Sequence, residues 1–234
     1  MMASAFFTVP GHAASVDEAG MVDSLYGETD AFRSRAGVST VTPEQHLEGA
    51  ARDFAQFMAR TGRYGHEADG RSPAQRVRAQ GYDYCIVSEN IAYEYNSAGY
   101  TTPALAAAFA NGWEHSPPHR RNLLDADVTD TGAAVARSGA DGRYYAVQLF
   151  ALPASRSTAF RIVNESGAPV RYRMAGRAYT LAPRSTGSHQ RCRLVAVTFD
   201  APRGQAATTI RPLRGETYMV TRAPSGAWAV TRRP

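Results

Sequence analysis

Two histidines and a glutamate are the residues of this sequence best suited to chemistry. His66 lies in a loop with a glycine on each side, and His119 directly follows two prolines that restrict the backbone before it. Glu89 lies between them in the sequence, at the edge of an apolar patch. Imidazole and carboxylate groups suit zinc or a similar divalent ion, and three or fewer protein ligands leave a coordination position for water. These residue types predict a divalent metal site, although the spacing alone is equally consistent with three unrelated residues.

Two kinds of catalysis would use the same residues. A bound metal lowers the pKa of its water towards about 7, and Glu89 could then act as the general base of a hydrolase. The sequence contains no HExxH segment of the kind that places two metal-binding histidines on one helix. Ser116 could instead form a nucleophilic triad with His119 and Glu89, but no nucleophile-elbow motif surrounds it. We expect Glu89, Asn90, His115 and Ser116 to line the predicted site.

Several neighbouring residues are better explained by structural roles. We expect Asn90 to shape its loop by hydrogen bonding, Trp113 to pack in the core, and Arg120 to form a surface salt bridge, with anion binding as its alternative. Loops and helix surfaces commonly carry solvated histidines, and this is the role expected of the three remaining ones. They are His12 near the N-terminus, His46 on the polar side of a helix, and His189 in a polar loop.

The first half of the chain carries repeated helix-start signals. Serine or threonine followed by proline combines a capping residue with a proline at the first helical position, and this pair begins at Thr42, Ser72 and Thr102. After the first pair, apolar residues recur at helical spacing until Gly62. The pattern predicts three helices from these starts and an earlier one over residues 16–36.

Beyond residue 125 the apolar pattern alternates, as in strands. Residues 131–137 and 144–152 predict a hairpin, so the first 150 residues or so have an α+β pattern. A linker is expected from Pro153 to Ser157, followed by a small all-β sandwich or barrel. Its predicted strands are 160–163, 170–174, 179–181, 194–199, 208–210, 218–221 and 228–230. The predicted domains are therefore 15–153 and 154–234, after a signal remnant at 1–14.

Composition narrows the function classes. The chain has a net charge of +5, and its 26 basic residues are all arginine, spread along the sequence without a basic tract. This spread argues against nucleic-acid binding and favours a solvated surface or attraction to an anionic cell wall. No apolar run is long enough for a membrane-spanning helix. Residues 1–14 resemble the end of a secretory signal peptide, with an ordinary disordered N-terminus as the alternative. Cys85 and Cys192 could form one bridge between the two domains or both be free.

The ordered set of motifs resembles the bacterial branch of the CAP superfamily, the SCP-like extracellular domains. The resemblance covers residues 16–152 and rests on the Gly65-His66 loop, the segment of residues 89–92 (Glu-Asn-Ile-Ala), Trp113 and the segment of residues 116–120 (Ser-Pro-Pro-His-Arg). It implies an α-β-α sandwich with a central antiparallel sheet. It also implies a cleft of two histidines and two acids, in which the histidine pair can hold zinc.

Three of the four cleft positions are matched by His66, Glu89 and His119. The fourth, an acid in eukaryotic members, is Ser116 here, and Glu114 points away from it on a helix. A mechanism that needs two acids is therefore not supported. The resemblance favours a secreted or cell-surface binding module for a lipid, peptide or cell-wall fragment. A metal-dependent hydrolase using the same cleft and a structural scaffold are the alternatives, and the β-domain carries no catalytic motif.

Overall fold

The computed structural model describes residues 16–202 and 204–233, and the chain divides into two compact units between Pro153 and Ala154. The predicted signal region and His12 lie outside the described residues. Within the described residues, no helix combines the length and the apolar character needed to cross a bilayer. Cys85 and Cys192 are both disulfide-bonded, which excludes the alternative of two free thiols.

The described part of the first unit, residues 16–153, contains five helices and one four-stranded sheet. The helices are α1 (Glu18–Arg35), α2 (Gln45–Thr61), α3 (Pro73–Ala79), α4 (Thr102–His115) and α5 (Pro117–Leu123). The strands are β1 (Thr42–Pro43), β2 (Tyr84–Glu94), β3 (Asp130–Arg137) and β4 (Tyr144–Pro153). Their order in the sheet is β1-β3-β4-β2, antiparallel except for the short parallel pair of β1 and β3. β2 is therefore an edge strand.

The sheet separates two apolar layers because successive residues of a strand face opposite sides. Ala134 and Val147 pack with α2 and α3, whereas Ala133 and Ala146 pack with α1, α4 and α5. Both β3 and β4 are almost continuously buried, as expected for strands covered on each face. The α-β-α sandwich and the α+β class predicted from the sequence are confirmed.

The helix starts were predicted correctly for α3 and α4, and the start of α2 was misplaced. Ser72 forms a complete capping box with Gln75 at the start of α3. Thr42 does not cap α2, since Thr42 pairs with β3 and the Glu44 side chain accepts from the Leu47 backbone instead. The cap of α4 lies at Thr101, one residue before the predicted position. A threonine next to proline also suits a strand end, and here pairing with β3 decides the conformation of Thr42.

The second unit is all-β. Its strands are β5 (Thr158–Asn164), β6 (Val170–Met174), β7 (Arg177–Leu181), β8 (Thr186–Arg191), β9 (Val197–Phe199), β10 (Thr208–Ile210), β11 (Thr217–Arg222) and β12 (Trp228–Arg233). They form two four-stranded sheets, β10-β9-β6-β7 and β12-β11-β5-β8, around one apolar core. The prediction of a polar loop at His189 is wrong. His189 lies on β8, is partly buried and bonds to the Tyr172 hydroxyl at 2.8 Å, because β8 alternates between exposed and half-buried positions.

Candidate active cleft

The cleft residues meet at the outer edge of β2. His66 lies in the loop between α2 and α3, on one face of the sheet, and His119 lies on α5, on the other face. Glu89 and Asn90 are consecutive residues of β2, so one contacts the His66 loop and the other contacts α5. An edge strand is the one place where residues from both layers of a sandwich can approach each other around the sheet.

Side chains from both layers cover the open edge of β2. The Ile91 carbonyl accepts hydrogen bonds from the Tyr64 hydroxyl at 3.1 Å and from the Trp113 indole at 3.3 Å. The Glu89 carbonyl accepts one from the Asn122 side chain at 3.1 Å. Unpaired backbone groups of an edge strand invite pairing with other chains, and these contacts protect them. Trp113 is 1% exposed, as expected for a core residue.

The carboxylate of Glu89 is the centre of the cleft and is almost fully buried. One oxygen lies 2.8 Å from His66 Nδ1, and the other accepts from the Arg76 guanidinium at 2.6 Å. The Glu89 side chain is 1% exposed, whereas that of His66 is 50% exposed. Both carboxylate oxygens are therefore engaged by protein groups, while the imidazole remains accessible.

Arg76 is a cleft residue that the sequence analysis missed. Its guanidinium also donates to the Asp69 carboxylate at 2.9 Å and to the His66 carbonyl at 3.0 Å, and it lies 3.5 Å from the centroid of the Phe54 ring. Arg76 thus binds two groups at once. It holds the backbone of the His66 loop, and it holds the Glu89 carboxylate that orients the His66 ring. No local signal marks Arg76, because neighbouring residues of a helix point in different directions and most of its partners come from other segments.

The His66 loop depends on glycines for its path. Gly65 and Gly70 have φ values of +139° and +81°, which residues with a Cβ rarely adopt. Two tight turns follow, with the Ala68 amide bonding to the Gly65 carbonyl and the Gly70 amide bonding to the Glu67 carbonyl. This geometry brings His66 back over β2.

His119 is held by two side-chain amides and by the end of its helix. The Asn90 side chain donates to the His119 carbonyl at 3.2 Å, and Asn122 donates to the Asn90 side-chain oxygen at 2.9 Å. The buried Arg33 donates to the Leu123 carbonyl at the end of α5 at 2.6 Å. Burial lowers the pKa of His119 below its usual 6.5, and the nearby His66 lowers it further. His119 therefore favours its neutral form and lies within electrostatic reach of His66.

The remaining predicted residues are spread around the rim. His115 is exposed and bonds to the Asn111 carbonyl of its own helix at 2.9 Å. Ser116 is the N-cap of α5, although its side chain makes no capping hydrogen bond. Glu114 pairs with Arg35 at 3.3 Å, away from the cleft. Arg120 donates to the Glu114 carbonyl at 3.3 Å and stacks over Phe32, and these contacts differ from the surface salt bridge that we expected.

The imidazoles of His66 and His119 are the cleft groups that could ligate a metal ion. Metal-binding histidines commonly donate their second ring N–H to a carboxylate, as His66 Nδ1 can do to Glu89. This contact leaves Nε2 as the His66 nitrogen that a metal could approach. Among residues 16–202 and 204–233, no group of three His, Cys, Asp or Glu side chains is placed to hold a metal ion. A metal in this cleft would accordingly be held by His66 and His119, with Glu89 orienting the first.

Comparison with known proteins places residues 26–150 in register with the family model described as "CAP: Cysteine-rich secretory protein family". A search of the curated proteins found no match. Three similar solved structures come from bacteria. An extracellular protein containing an SCP domain from Bacillus anthracis is 22% identical, with a TM-score of 0.48 over 57% of this chain and 41% of that chain. An outer surface protein from Borrelia burgdorferi is 21% identical, with a TM-score of 0.49 over 57% and 92% of the two chains.

The third structure is a cysteine-rich secretory protein from Staphylococcus aureus. It is 20% identical, with a TM-score of 0.44 over 58% of this chain and 39% of that chain. The chain therefore spans about two fifths of the length of the Bacillus and Staphylococcus proteins that it matches.

Proposed function

The chain belongs to the cysteine-rich secretory protein (CAP) family, and from that premise we propose that its first unit is an extracellular binding module. Its cleft, between His66 and His119, would hold a divalent metal such as zinc. The ligand would be an extracellular molecule that reaches the exposed imidazole of His66. Secretion is part of the same proposal, as is the division into a CAP domain at 15–153 and a separate β-domain at 154–234.

One observation carries the choice of binding over hydrolysis. Glu89 is the residue that a hydrolase would need as its base. One of its carboxylate oxygens already contacts His66, and the other contacts Arg76. To take a proton from water, it would have to give up one of these buried contacts. Its geometry instead suits the orientation of His66, which is a positioning role.

The lowered pKa of His119 supports metal binding near neutral pH. Only a neutral imidazole can ligate a metal, and the pKa of His119 lies below its usual value because the ring is partly buried and close to His66. When bound, the metal would supply an electrophilic centre for an oxygen or nitrogen atom of the ligand. His66 and His119 would hold it, while Arg76 and the amides of Asn90 and Asn122 keep both residues in position.

Zinc stoichiometry of the purified full chain tests the proposal. We expect about one zinc per chain, which His66→Ala and His119→Ala each abolish. His46→Ala is the matched control, since His46 is an exposed histidine on α2 that contacts Glu44 and no cleft residue. Equal zinc content in all four proteins, or none in the wild type, would contradict the proposed site.

A further inference from the structure

Three exposed tyrosines lie beside the cleft. Tyr64, Tyr93 and Tyr95 are 46%, 46% and 58% exposed, and they make up three of the five most exposed large hydrophobic residues within the described part of the chain. The other two are leucines of the second unit, Leu194 and Leu213. Grouped exposed rings on a folded domain commonly mark a binding surface. The tyrosine patch (Tyr64, Tyr93 and Tyr95) is therefore a candidate ligand-binding surface.

The first two rings are held in a fixed arrangement. Their centroids lie 5.1 Å apart at an angle of 90°, so the two rings meet as a corner. The Tyr64 hydroxyl donates to the Ile91 carbonyl at 3.1 Å, and Tyr93 packs at 5.9 Å against Tyr145, which is 1% exposed. Rings positioned in advance lose little conformational entropy when a ligand binds, which favours affinity.

A basic group and a turn complete the rim of the patch. The Arg143 guanidinium lies 5.0 Å from the centroid of the Tyr93 ring and 3.5 Å from the Asp141 carboxylate. Tyr95 lies beside the same turn, because a Cβ placed on Gly142 would be 3.7 Å from its ring. The surface therefore combines ring faces with hydrogen-bond donors and acceptors at their border.

The tyrosine patch is continuous with the cleft. Tyr64 precedes His66 by two residues in the same loop. The Tyr64 hydroxyl bonds to the carbonyl of Ile91, which lies two residues after Glu89 on β2. A ligand seated on the patch can therefore extend to the exposed side of His66.

We propose that the tyrosine patch binds a sugar chain, with pyranose rings stacked on Tyr64 and Tyr93 and hydroxyl groups bonded to Arg143. This inference rests on the proposed binding function and names the ligand class of the same cleft. The electron-rich face of a tyrosine attracts the C–H groups on the flat side of a sugar, and its polar rim suits the hydroxyls. The exposed apolar surface consists of rings rather than aliphatic chains, which favours a sugar over a lipid tail.

Calorimetric titration of the full chain with β-1,4-linked hexamers of glucose and of N-acetylglucosamine tests this inference. These sugars present flat C–H faces along the chain. We expect saturable binding of at least one hexamer, weakened by about tenfold or more in Tyr93→Ala and in Tyr64→Ala. Tyr93→Phe keeps the ring and should keep most of the affinity. Leu213→Ala is the matched control, since Leu213 is similarly exposed but lies in the second unit.

Two further measurements separate the outcomes. The zinc content of the tyrosine variants should equal that of the wild type. Because only the histidine variants should lose zinc, the metal site and the sugar site are tested independently. Circular dichroism of each variant should match the wild type, which excludes misfolding. No saturable binding of either hexamer, or equal binding by wild type and Tyr93→Ala, would overturn the inference, as would Tyr93-dependent binding to phosphatidylcholine vesicles in place of sugar.

Discussion

Arg76 and Glu89 form an ion pair at 2.6 Å in which the two side chains are only 4% and 1% exposed. Arginine and glutamate are seldom so completely withdrawn from water, because burial of a charge is costly unless it is paired. The pair joins α3 to the edge strand β2 and holds the carboxylate that contacts His66. The position of the accessible imidazole therefore depends on a buried contact behind it.

Removal of Arg76 should destabilise the first unit strongly. In Arg76→Met the Glu89 carboxylate stays buried without its cationic partner, which costs about 3–5 kcal/mol. Urea unfolding of the variant measures this loss. Arg78→Met is the control, because Arg78 is exposed on the same helix and stacks over Tyr84. The double variant Arg76→Met with Glu89→Leu should recover part of the stability. Equal stability of Arg76→Met and the control Arg78→Met would contradict the role of the pair.

The linked side-chain amides of Asn90 and Asn122 should be sensitive to truncation. Asn122→Ala removes the donor to the Glu89 carbonyl and to the Asn90 side-chain oxygen, and Asn90 is fully buried. Leaving a buried acceptor without its partner costs about 1–3 kcal/mol. The melting temperature should therefore fall clearly in Asn122→Ala. It should hardly change in Arg121→Ala, because Arg121 is the exposed neighbour. A drop of similar size in both would indicate a general effect on α5.

Two glycines should respond in opposite directions to alanine. A Cβ on Gly132 would lie 2.3 Å from the Glu48 amide nitrogen and from the Leu47 carbonyl carbon, so α2 packs directly on the backbone of β3. Gly132→Ala should cost about 3 kcal/mol, because the helix backbone has to retreat. Gly112 lies inside α4 with open space around it, and Gly112→Ala should stabilise by about 0.5–1 kcal/mol. Denaturant midpoints of the two variants on the same side of the wild type would contradict this packing.

The second unit should lose stability on mild acidification through His189. Burial lowers the pKa of His189 below its usual 6.5, and the charge of Arg191 lowers it further. The unfolded chain then binds a proton more readily than the folded chain. The stabilising contribution is therefore complete above about pH 6.5 and is lost as the pH falls towards the lower folded pKa.

Nuclear magnetic resonance titration of the histidine ring protons measures this effect. We expect a midpoint for His189 below 6.5, and we expect His189→Gln to reduce the loss of stability between pH 7 and the folded pKa. A midpoint at or above 6.5 would show that the contact with Tyr172 stabilises the charged ring instead.

The sequence predicts the helices of this fold better than its edge strand. The apolar stripe after Gln45 and the box at Ser72 are local signals, so α2 and α3 follow from them. β2 gives no such signal, because Ser88, Glu89 and Asn90 interrupt its apolar residues. The partners that make these polar residues acceptable in a sheet come from distant segments.

The same reason explains which cleft residues the sequence missed. His66, Glu89 and His119 stand out by residue type, but Arg76 looks like a solvated arginine until its burial is known. Arg33 is similar, since its partners at Ser39 and Leu123 lie in separate segments. Long side chains that bond to remote carbonyls leave no local pattern, and a three-dimensional structure is needed to find them.

A crystal structure of the zinc-soaked full chain, phased with the anomalous signal of zinc, would show directly whether the two histidines bind zinc. We predict one anomalous peak bound by His66 and His119, with Glu89 still paired to Arg76 and bonded to His66 Nδ1. A peak elsewhere, or a zinc ion ligated by Glu89 after it has left Arg76, would contradict the account and return Glu89 to consideration as a direct participant in catalysis.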